Sequence, residues 1–272
     1  MVTSARRLLS IPLAALLLAP LAGSAAAEDI TPPPVDTAAL QQDGYDLVNM
    51  TNAKRASVGL IALRMDAALM QIARDRAQVM AVNDVMSHTE PDGTKAWDRM
   101  NAAHITWYAG GEIIAWNHYP AEYSTAEAIR AWWASPGHHS IMVSTGYNYV
   151  GFGAAMSADG KYYYAGVFAK EPDHTAPWAK FGSVSTRTVD ATHKRVTVRW
   201  SGGDTRLQVL TSGLRYFQVQ WRVVGGGWHA WTISSAKYKS MTVRRGVRYE
   251  VRVRSRDWAG NLGAWRTITL RP

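Results

Sequence analysis

The sequence contains no cysteine among its 272 residues. Disulfide bonds therefore contribute nothing to its stability, and no thiolate is present to act as a nucleophile or a metal ligand. The fold must depend on packing alone, and 12 tryptophans supply large apolar side chains for that packing.

Long apolar runs are rare, and the one near the start is interrupted by two prolines. Residues 8–21 are mostly apolar, follow a pair of arginines and precede the small residues 25–27, which is the pattern of a cleaved export signal. The prolines leave it shorter than the roughly 20 residues that a membrane span needs. We expect a signal peptide at 1–27, an extended lead-in at 28–36 and no transmembrane segment. The protein would be secreted, either extracellular or associated with the cell envelope.

Acidic side chains are scarce in the second part of the chain. Residues 28–172 contain 10 Lys+Arg and 16 Asp+Glu, whereas residues 173–272 contain 18 Lys+Arg and 5 Asp+Glu. A charge asymmetry of this size bears on binding partners rather than on fold. It predicts an acidic unit followed by a strongly basic unit.

The familiar catalytic motifs are also missing. No Gly-x-Ser-x-Gly elbow, His-Glu-x-x-His helix or glycine-rich phosphate loop occurs in the chain. This favours a protein that is not an enzyme, and the sequence identifies no catalytic residue.

The first unit, residues 37–171, contains a mixture of helical and strand patterns. Helical patterns begin near Thr37, Asp66, Thr94 and Ser124, and strand patterns cover 112–116, 149–156 and 162–169. Asp159-Gly160, between the last two strands, is a hairpin turn signal. Because two strands are joined by a tight turn, the pattern favours an α+β layer over a doubly wound parallel sheet.

The second unit, residues 182–272, has strand periodicity throughout. It follows a stretch with two prolines and no periodicity, which we predict to be a linker at 172–181. Apolar residues then alternate with polar ones in three runs, 195–200, 217–223 and 249–254. Such strands, separated by turns such as Gly225-Gly226-Gly227, indicate an all-β sandwich.

Three side chains in the first unit are candidates for a functional site. His88 ends Met86-Ser87-His88, Glu112 ends Gly110-Gly111-Glu112, and His138 lies in the run Trp132-Trp133-Ala134-Ser135-Pro136-Gly137-His138-His139. Two imidazoles and a carboxylate from separate elements could form a site for a divalent metal or for acid–base chemistry, if the fold brings them together.

Residues 45–169 resemble the CAP superfamily, the fold shared by cysteine-rich secretory proteins, insect-venom antigen 5 and plant pathogenesis-related proteins. The resemblance is to the bacterial, cysteine-free branch. It is carried, in order, by Val48-Asn49, Gly59-Leu60, Met86-Ser87-His88, Gly111-Glu112, Ser135-Pro136-Gly137-His138 and Val150-Gly151-Phe152-Gly153. The resemblance implies an α-β-α sandwich with a central cleft lined by His88, Glu112 and His138, in which the two histidines could bind zinc.

The chain departs from the family pattern at three positions. Eukaryotic members carry a second glutamate in the cleft where this chain has Ser135, Ile113 replaces the family's asparagine, and Ile141 stands where the bacterial branch usually has another asparagine. Glu127 is near enough in sequence to substitute for the missing carboxylate. However, Ser124-x-x-Glu127 also fits a helix capping box, and we favour the cap.

The second unit resembles a fibronectin type III or other immunoglobulin-like module, on Val198-Arg199-Trp200 and on the stretch from Tyr249 to Asn261. Strand alternation predicts that five arginines point outward: Arg199, Arg222, Arg252, Arg254 and Arg256. This basic face could dock onto an anionic envelope polymer or membrane, or it could simply keep the protein soluble. Export makes nucleic acid an unexpected physiological partner.

Two functions of different class follow from these patterns. One is a monomeric, non-catalytic binding module for a lipid, peptide or envelope component, with the basic unit as its docking module. The other is a metal-dependent hydrolase of peptide or cell-wall material, with zinc on His88 and His138 and Glu112 as the base. The missing motifs favour the binding module.

Overall fold

The computed structural model describes residues 37–272. The predicted signal peptide and lead-in lie outside the described residues. Five helices precede residue 143 in the described part: α1 (Thr37–Ser57), α2 (Ala67–Asn83), α3 (Ala96–Ala102), α4 (Ala121–Ala134) and α5 (Pro136–Met142). Among the described helices, none combines the length and the apolar character that a bilayer span requires.

Helix α2 begins where the sequence predicts it. Asp66 is its N-cap, and its Oδ1 accepts a hydrogen bond from the backbone N–H of Leu69 at 2.9 Å. This bond satisfies one of the free amides at the start of the helix. The apolar face of α2 is buried, and it comprises Leu69, Ile72, Ala73, Ala77 and Met80.

The predicted start of the fourth helix is wrong by three residues. Helix α4 follows Pro120, so Ser124 lies inside the helix and its hydroxyl donates to the carbonyl of Ala121 at 3.0 Å. Glu127 forms an ion pair with Arg130 rather than capping the helix. The predicted capping box is therefore not formed.

A four-stranded sheet lies between the helices, in the order β1-β3-β4-β2. Its strands are β1 (Arg64–Met65), β2 (Ala109–Asn117), β3 (Tyr149–Met156) and β4 (Tyr162–Lys170). The predicted hairpin joins β3 to β4, with Gly160 at φ +84°. Side chains of α1 and α4 pack on one face of the sheet, and those of α2 and α3 on the other. The α+β class and the α-β-α layering are confirmed.

The second part of the chain consists of two facing sheets. They are β5-β6-β9 and β11-β10-β7-β8. The strands are β5 (Trp178–Thr188), β6 (His193–Gly203), β7 (Leu214–Val223), β8 (His229–Ser234), β9 (Tyr238–Arg244), β10 (Tyr249–Asp257) and β11 (Arg266–Leu270). The predicted alternation puts Val198, Phe217 and Val251 in their common core. Strand β5 begins inside the segment 172–181, and the domain boundaries stay a prediction.

Hydrogen bonds join the sandwich to the α/β layer. The fully buried Arg55 donates to the carbonyls of Met142 and Ser144 at 2.8 and 2.9 Å and to Gln208 Oε1 at 3.3 Å. Asn148 Nδ2 donates to the carbonyl of Val209 at 3.2 Å. The loop that precedes β7 is therefore held against the α/β layer.

Asp43, on α1, gives the fold a pH dependence. Burial, followed by the charge of Asp46, raises the pKa of Asp43 to about 6. Because the folded pKa of Asp43 exceeds its unfolded pKa, ionisation of Asp43 does not lower the free energy of unfolding below about pH 4. The loss of stability grows as the pH rises through 6. We expect Asp43→Asn to raise the free energy of unfolding by about 1 kcal/mol at pH 7 and not at pH 4. Urea denaturation at both pH values measures this difference. Asp75→Asn, on α2, is the control and should show no gain.

Candidate functional site

His88 and Glu112 are in direct contact. His88 lies between α2 and α3, Glu112 is on β2, and His88 Nδ1 is 2.7 Å from Glu112 Oε2. The His88 side chain is 54% exposed, whereas that of Glu112 is 1% exposed. The buried carboxylate thus holds a histidine whose ring reaches solvent.

His138, on α5, interacts electrostatically with His88. Burial lowers the pKa of His138, and the charge of His88 lowers it further. Both effects favour a neutral His138 imidazole at neutral pH. The structure brings His88 and Glu112 into contact and places His138 within electrostatic range of His88. Their role as a ligand cleft stays a prediction.

A buried arginine completes the polar cluster behind His88. Arg76, on α2, is fully buried and donates from Nε to Glu112 Oε1 at 2.8 Å. Its Nη1 donates to Glu90 Oε1 at 2.9 Å, and its Nη2 to the carbonyl of Ser87 at 2.8 Å. One cation therefore fixes the glutamate that holds His88 and also the backbone next to His88.

Glu90 extends this cluster to Arg99, on α3. Arg99 donates from Nε and Nη2 to the two Glu90 oxygens at 2.6 and 2.7 Å. Burial acts to raise the pKa of Glu90, but the hydrogen bonds from Arg99 and Arg76 outweigh it and hold that pKa below its usual value. Glu90 is thus an ionised link between two arginines.

Sequence reasoning did not select Arg76, although the sequence contains a signal. Position 76 lies four residues after Ile72 and three after Ala73, on the face of α2 predicted to be buried. A charged side chain on such a face requires a buried partner. Glu90 lies in a loop without periodicity, so no comparable pattern points to it.

The contacts of Glu112 determine what His88 can do. An ionised carboxylate only accepts hydrogen bonds, so a His88 ring in contact with it donates from Nδ1, and in the neutral ring Nε2 then carries the lone pair. That lone pair can bind a metal ion or accept a hydrogen bond from a ligand. A carboxylate behind a metal-binding imidazole is a common arrangement in zinc sites. Zinc binding by His88 and His138 stays a prediction.

Apolar surface adjoins this site. A pocket of about 230 Å³ lies next to the loop that contains His88. It is lined by Ser87 and Thr89, the two sequence neighbours of His88. Its other walls include Val79, Met80, Val85 and Pro91. Met86 is 47% exposed in the same segment. A polar site next to apolar walls suits an amphiphilic ligand.

The remaining histidine of the Pro-Gly-His-His run faces a different group. His139 packs edge-on against Trp133, with ring centroids 4.4 Å apart. The sequence selects only His138 of this pair as a candidate for the site.

The outward arginines of the sandwich form a stack that the sequence did not predict. Arg222, Arg252 and Arg254 alternate with Trp228 and Trp265, with guanidinium-to-ring distances of 4.2–4.5 Å. Their Nε atoms also donate to neighbouring side chains of the sheet.

The other two predicted docking arginines lie against tyrosines. Arg199 lies over Tyr238 at 5.9 Å, and Arg256 donates to the Tyr216 hydroxyl at 3.1 Å. Arg199, Arg252, Arg254 and Arg256 each lie between two buried residues, as the predicted alternation requires. Arg222 does not, because Trp221 is half-buried and Val223 is 42% exposed. Docking by this face stays a prediction.

Comparison with known proteins assigns the α/β layer. Residues 48–168 match the cysteine-rich secretory protein family, CAP. YkwD, an uncharacterized protein of Bacillus subtilis, is 30% identical over 111 residues, which are 41% of this chain and 42% of YkwD. The chain spans less than half the length of the two curated relatives it matches, 42% and 32%.

Among the similar solved structures are two surface or extracellular proteins of bacteria. An outer surface protein of Borrelia burgdorferi is 22% identical with a TM-score of 0.43, over 48% of this chain and 93% of that protein. An extracellular protein of Bacillus anthracis with an SCP domain is 22% identical with a TM-score of 0.41, over 48% of this chain and 41% of that protein. The family match at 48–168 confirms the resemblance inferred from the sequence.

Proposed function

Because residues 48–168 form a domain of the cysteine-rich secretory protein family, we propose that this chain is a secreted binding protein. It holds a lipid or peptide of the cell envelope at His88 and His138, without converting it. The observation that carries this proposal is the pairing of both carboxylate oxygens of Glu112, with His88 Nδ1 and with Arg76 Nε.

This pairing argues against hydrolysis with Glu112 as the base. A general base must reach the proton that it removes, within about 2.6–3.2 Å or through one water. The Glu112 side chain is 1% exposed, and its two oxygens are already engaged by Arg76 Nε and His88 Nδ1. Glu112 instead orients His88, which is the function of a supporting residue in a binding site.

The surroundings support an amphiphilic ligand. The two imidazoles can exchange hydrogen bonds with a head group, and the adjoining pocket with Val79, Met80 and Val85 can hold an apolar chain. A zinc ion on His88 and His138 would supply a positive charge for an anionic head group. His88 and His138 would hold that ion, and Glu112 would fix the ring of His88.

The basic sandwich is the docking module in this proposal. Its excess of Lys+Arg over Asp+Glu supports attraction to an anionic envelope surface. The stacked arginines keep part of their guanidinium edges at the surface, since Arg222, Arg252 and Arg254 are only half-buried.

Ligand capture tests the proposal. The purified protein is incubated with an envelope extract, bound compounds are identified by mass spectrometry, and the captured compound is then titrated. We expect His88→Gln with His138→Gln to weaken binding at least about tenfold, because each loses a head-group contact. The matched control is His139→Gln, on the same helix as His138, which should bind within about twofold.

The fate of the captured compound separates the two functions. The binding proposal requires that the compound is recovered unchanged after prolonged incubation. Conversion that is lost in Glu112→Gln would instead establish the metal-dependent hydrolase.

A further inference from the structure

A second cluster of ligand-type side chains lies where the chain leaves the α/β sheet. Asp66, Glu171 and His174 each bring one ligand atom into a group whose members all lie within 4.8 Å of one another. His174 Nε2 is 3.1 Å from Glu171 Oε2 and 3.7 Å from Asp66 Oδ2. These three residues are separate from the His88 site and have no part in the proposed function.

The second carboxylate oxygen of Glu171, Oε1, has no hydrogen-bond partner among residues 37–272. Its Oε1 is buried and accepts no hydrogen bond from any described residue, and the side chain is only 5% exposed. Buried carboxylate oxygens are nearly always satisfied in folded proteins, because an unsatisfied one loses its hydration without compensation. The carboxylate that contacts His174 through Oε2 therefore has a buried Oε1 whose hydration is not replaced by any described residue, and a bound cation would compensate for this loss.

The cluster opens to a cavity. Asp66, Glu171 and His174 line a pocket of about 330 Å³, together with Ile105 and Thr106. An ion can therefore enter, and the pocket leaves room for the water that would complete its coordination.

The side chains of the cluster are held in position by contacts outside it. The His174 ring stacks on Tyr149 with centroids 3.9 Å apart, and its backbone N–H donates to the Tyr149 hydroxyl at 3.0 Å. Asp66 Oδ1 is engaged by the N–H of Leu69, which leaves Oδ2 on the His174 side. Fixed ligand orientation reduces the entropy lost when a metal binds.

We infer that Asp66, Glu171 and His174 form a binding site for a divalent transition-metal ion, and that Zn²⁺ is the ion that fits best. Two ligand atoms bound to a tetrahedral zinc ion at 2.0–2.1 Å lie about 3.3 Å apart. The distances from His174 Nε2 to the two carboxylates, 3.1 and 3.7 Å, bracket this value. One imidazole with two carboxylates suits zinc, whereas calcium and magnesium favour oxygen ligands alone.

The ion would stabilise the junction between the two parts of the chain. Asp66 caps α2, and Glu171 and His174 belong to the segment that leads from β4 to β5. Asp173, between them, accepts a hydrogen bond from the N–H of Ser212 at 2.8 Å, and its carbonyl accepts one from Asn261 at 3.0 Å. A metal ion here would fasten α2 to the segment that holds the sandwich.

Zinc titration of the full chain tests the site. The titration uses the double variant His88→Gln, His138→Gln as the starting protein, because this variant lacks the imidazoles of the other candidate zinc site. We expect this variant to bind one zinc per chain in equilibrium dialysis and to show a Tm that rises with zinc concentration, as for any ligand specific to the folded state. Adding His174→Gln or Glu171→Gln should weaken zinc binding at least about tenfold and remove the Tm shift.

The matched control is His193→Gln. His193 also lies near a carboxylate, with Nδ1 3.2 Å from Asp190 Oδ1, but this pair belongs to no group of three ligands among the described residues. Its replacement should leave zinc uptake unchanged. Tm measured without zinc shows that each variant is folded. The inference is overturned if the double variant takes up no zinc, or if folded His174→Gln and Glu171→Gln variants retain it with unchanged affinity.

Discussion

Replacing Arg76 with methionine is expected to lower the free energy of unfolding by about 3–5 kcal/mol, measured by urea denaturation at pH 7. Arg76 is fully buried and donates to Glu112, Glu90 and the carbonyl of Ser87. Methionine fills part of its volume but removes the cation that Glu112 and Glu90 share, which leaves Arg99 on Glu90 and only His88 on Glu112. Removing one partner of a buried ion pair costs more than the pair itself contributes.

The matched control is Arg99→Met, which removes another cation that contacts Glu90. The Arg99 side chain is 26% exposed, so water can replace part of its interaction. We expect a loss of about 1 kcal/mol there. Similar losses for the two variants would contradict the dominant role assigned to Arg76.

The pH dependence of the Arg76→Met variant provides a second check. Arg76 contributes to the lowered pKa of Glu90, so in the variant that pKa moves back towards its ordinary value. The folded variant then binds more protons at acidic pH than the folded wild-type protein does, so the deficit relative to the wild-type protein shrinks as the pH falls. Adding Glu90→Gln and Glu112→Gln should restore part of the lost stability at pH 7. A deficit that is constant between pH 7 and 4.5 would show that lost packing, rather than unpaired charge, is its cause.

Local patterns predicted much of the fold because the interactions that decide it are local. Asp66 caps α2 through an amide three residues away, and Asp159-Gly160 closes a hairpin whose turn needs a positive φ. The sandwich strands alternate because each has one buried face. In these cases the residues that carry the signal also make the contact.

The errors and omissions concern features of the structure that are determined by contacts between residues far apart in sequence. Ser124 has the local signature of a cap, yet it is fully buried inside α4, and the helix begins after Pro120 instead. Burial against the rest of the layer outweighs the local capping preference. Glu171 and His174 fall in a stretch without periodicity, where sequence spacing does not indicate that they meet Asp66, more than a hundred residues earlier.

The candidate site was predicted only as far as family resemblance reached. Resemblance identified His88, Glu112 and His138, and two of these are in contact. Arg76 lies 36 residues from Glu112 in sequence, and nothing local pairs them. The stacking of Trp228 between Arg222 and Arg252 depends likewise on strands that meet only in the folded sheet.

Gly151→Ala is expected to lower the free energy of unfolding by about 3 kcal/mol or more. A Cβ at Gly151 would lie 2.1 Å from the carbonyl carbon of Leu69 and 2.2 Å from the nitrogen of Met70. Both are backbone atoms of α2, so no rotamer change can relieve the overlap, and the helix must move away from β3. Urea denaturation measures the loss.

The displacement of α2 in Gly151→Ala should affect both candidate sites, because α2 carries Arg76 and is capped by Asp66. A displaced helix would separate Arg76 from Glu112 and Asp66 from His174, so variant protein that still folds should bind both zinc and captured ligand more weakly. The matched control is Gly137→Ala, next to His138 on α5, where an added Cβ has no atom within 4 Å among the described residues. Alanine favours a helix over glycine, so this variant should be as stable as the wild-type protein or up to about 1 kcal/mol more stable. Equal stability of the two alanine variants would mean that the close approach of α2 to β3 does not limit the fold.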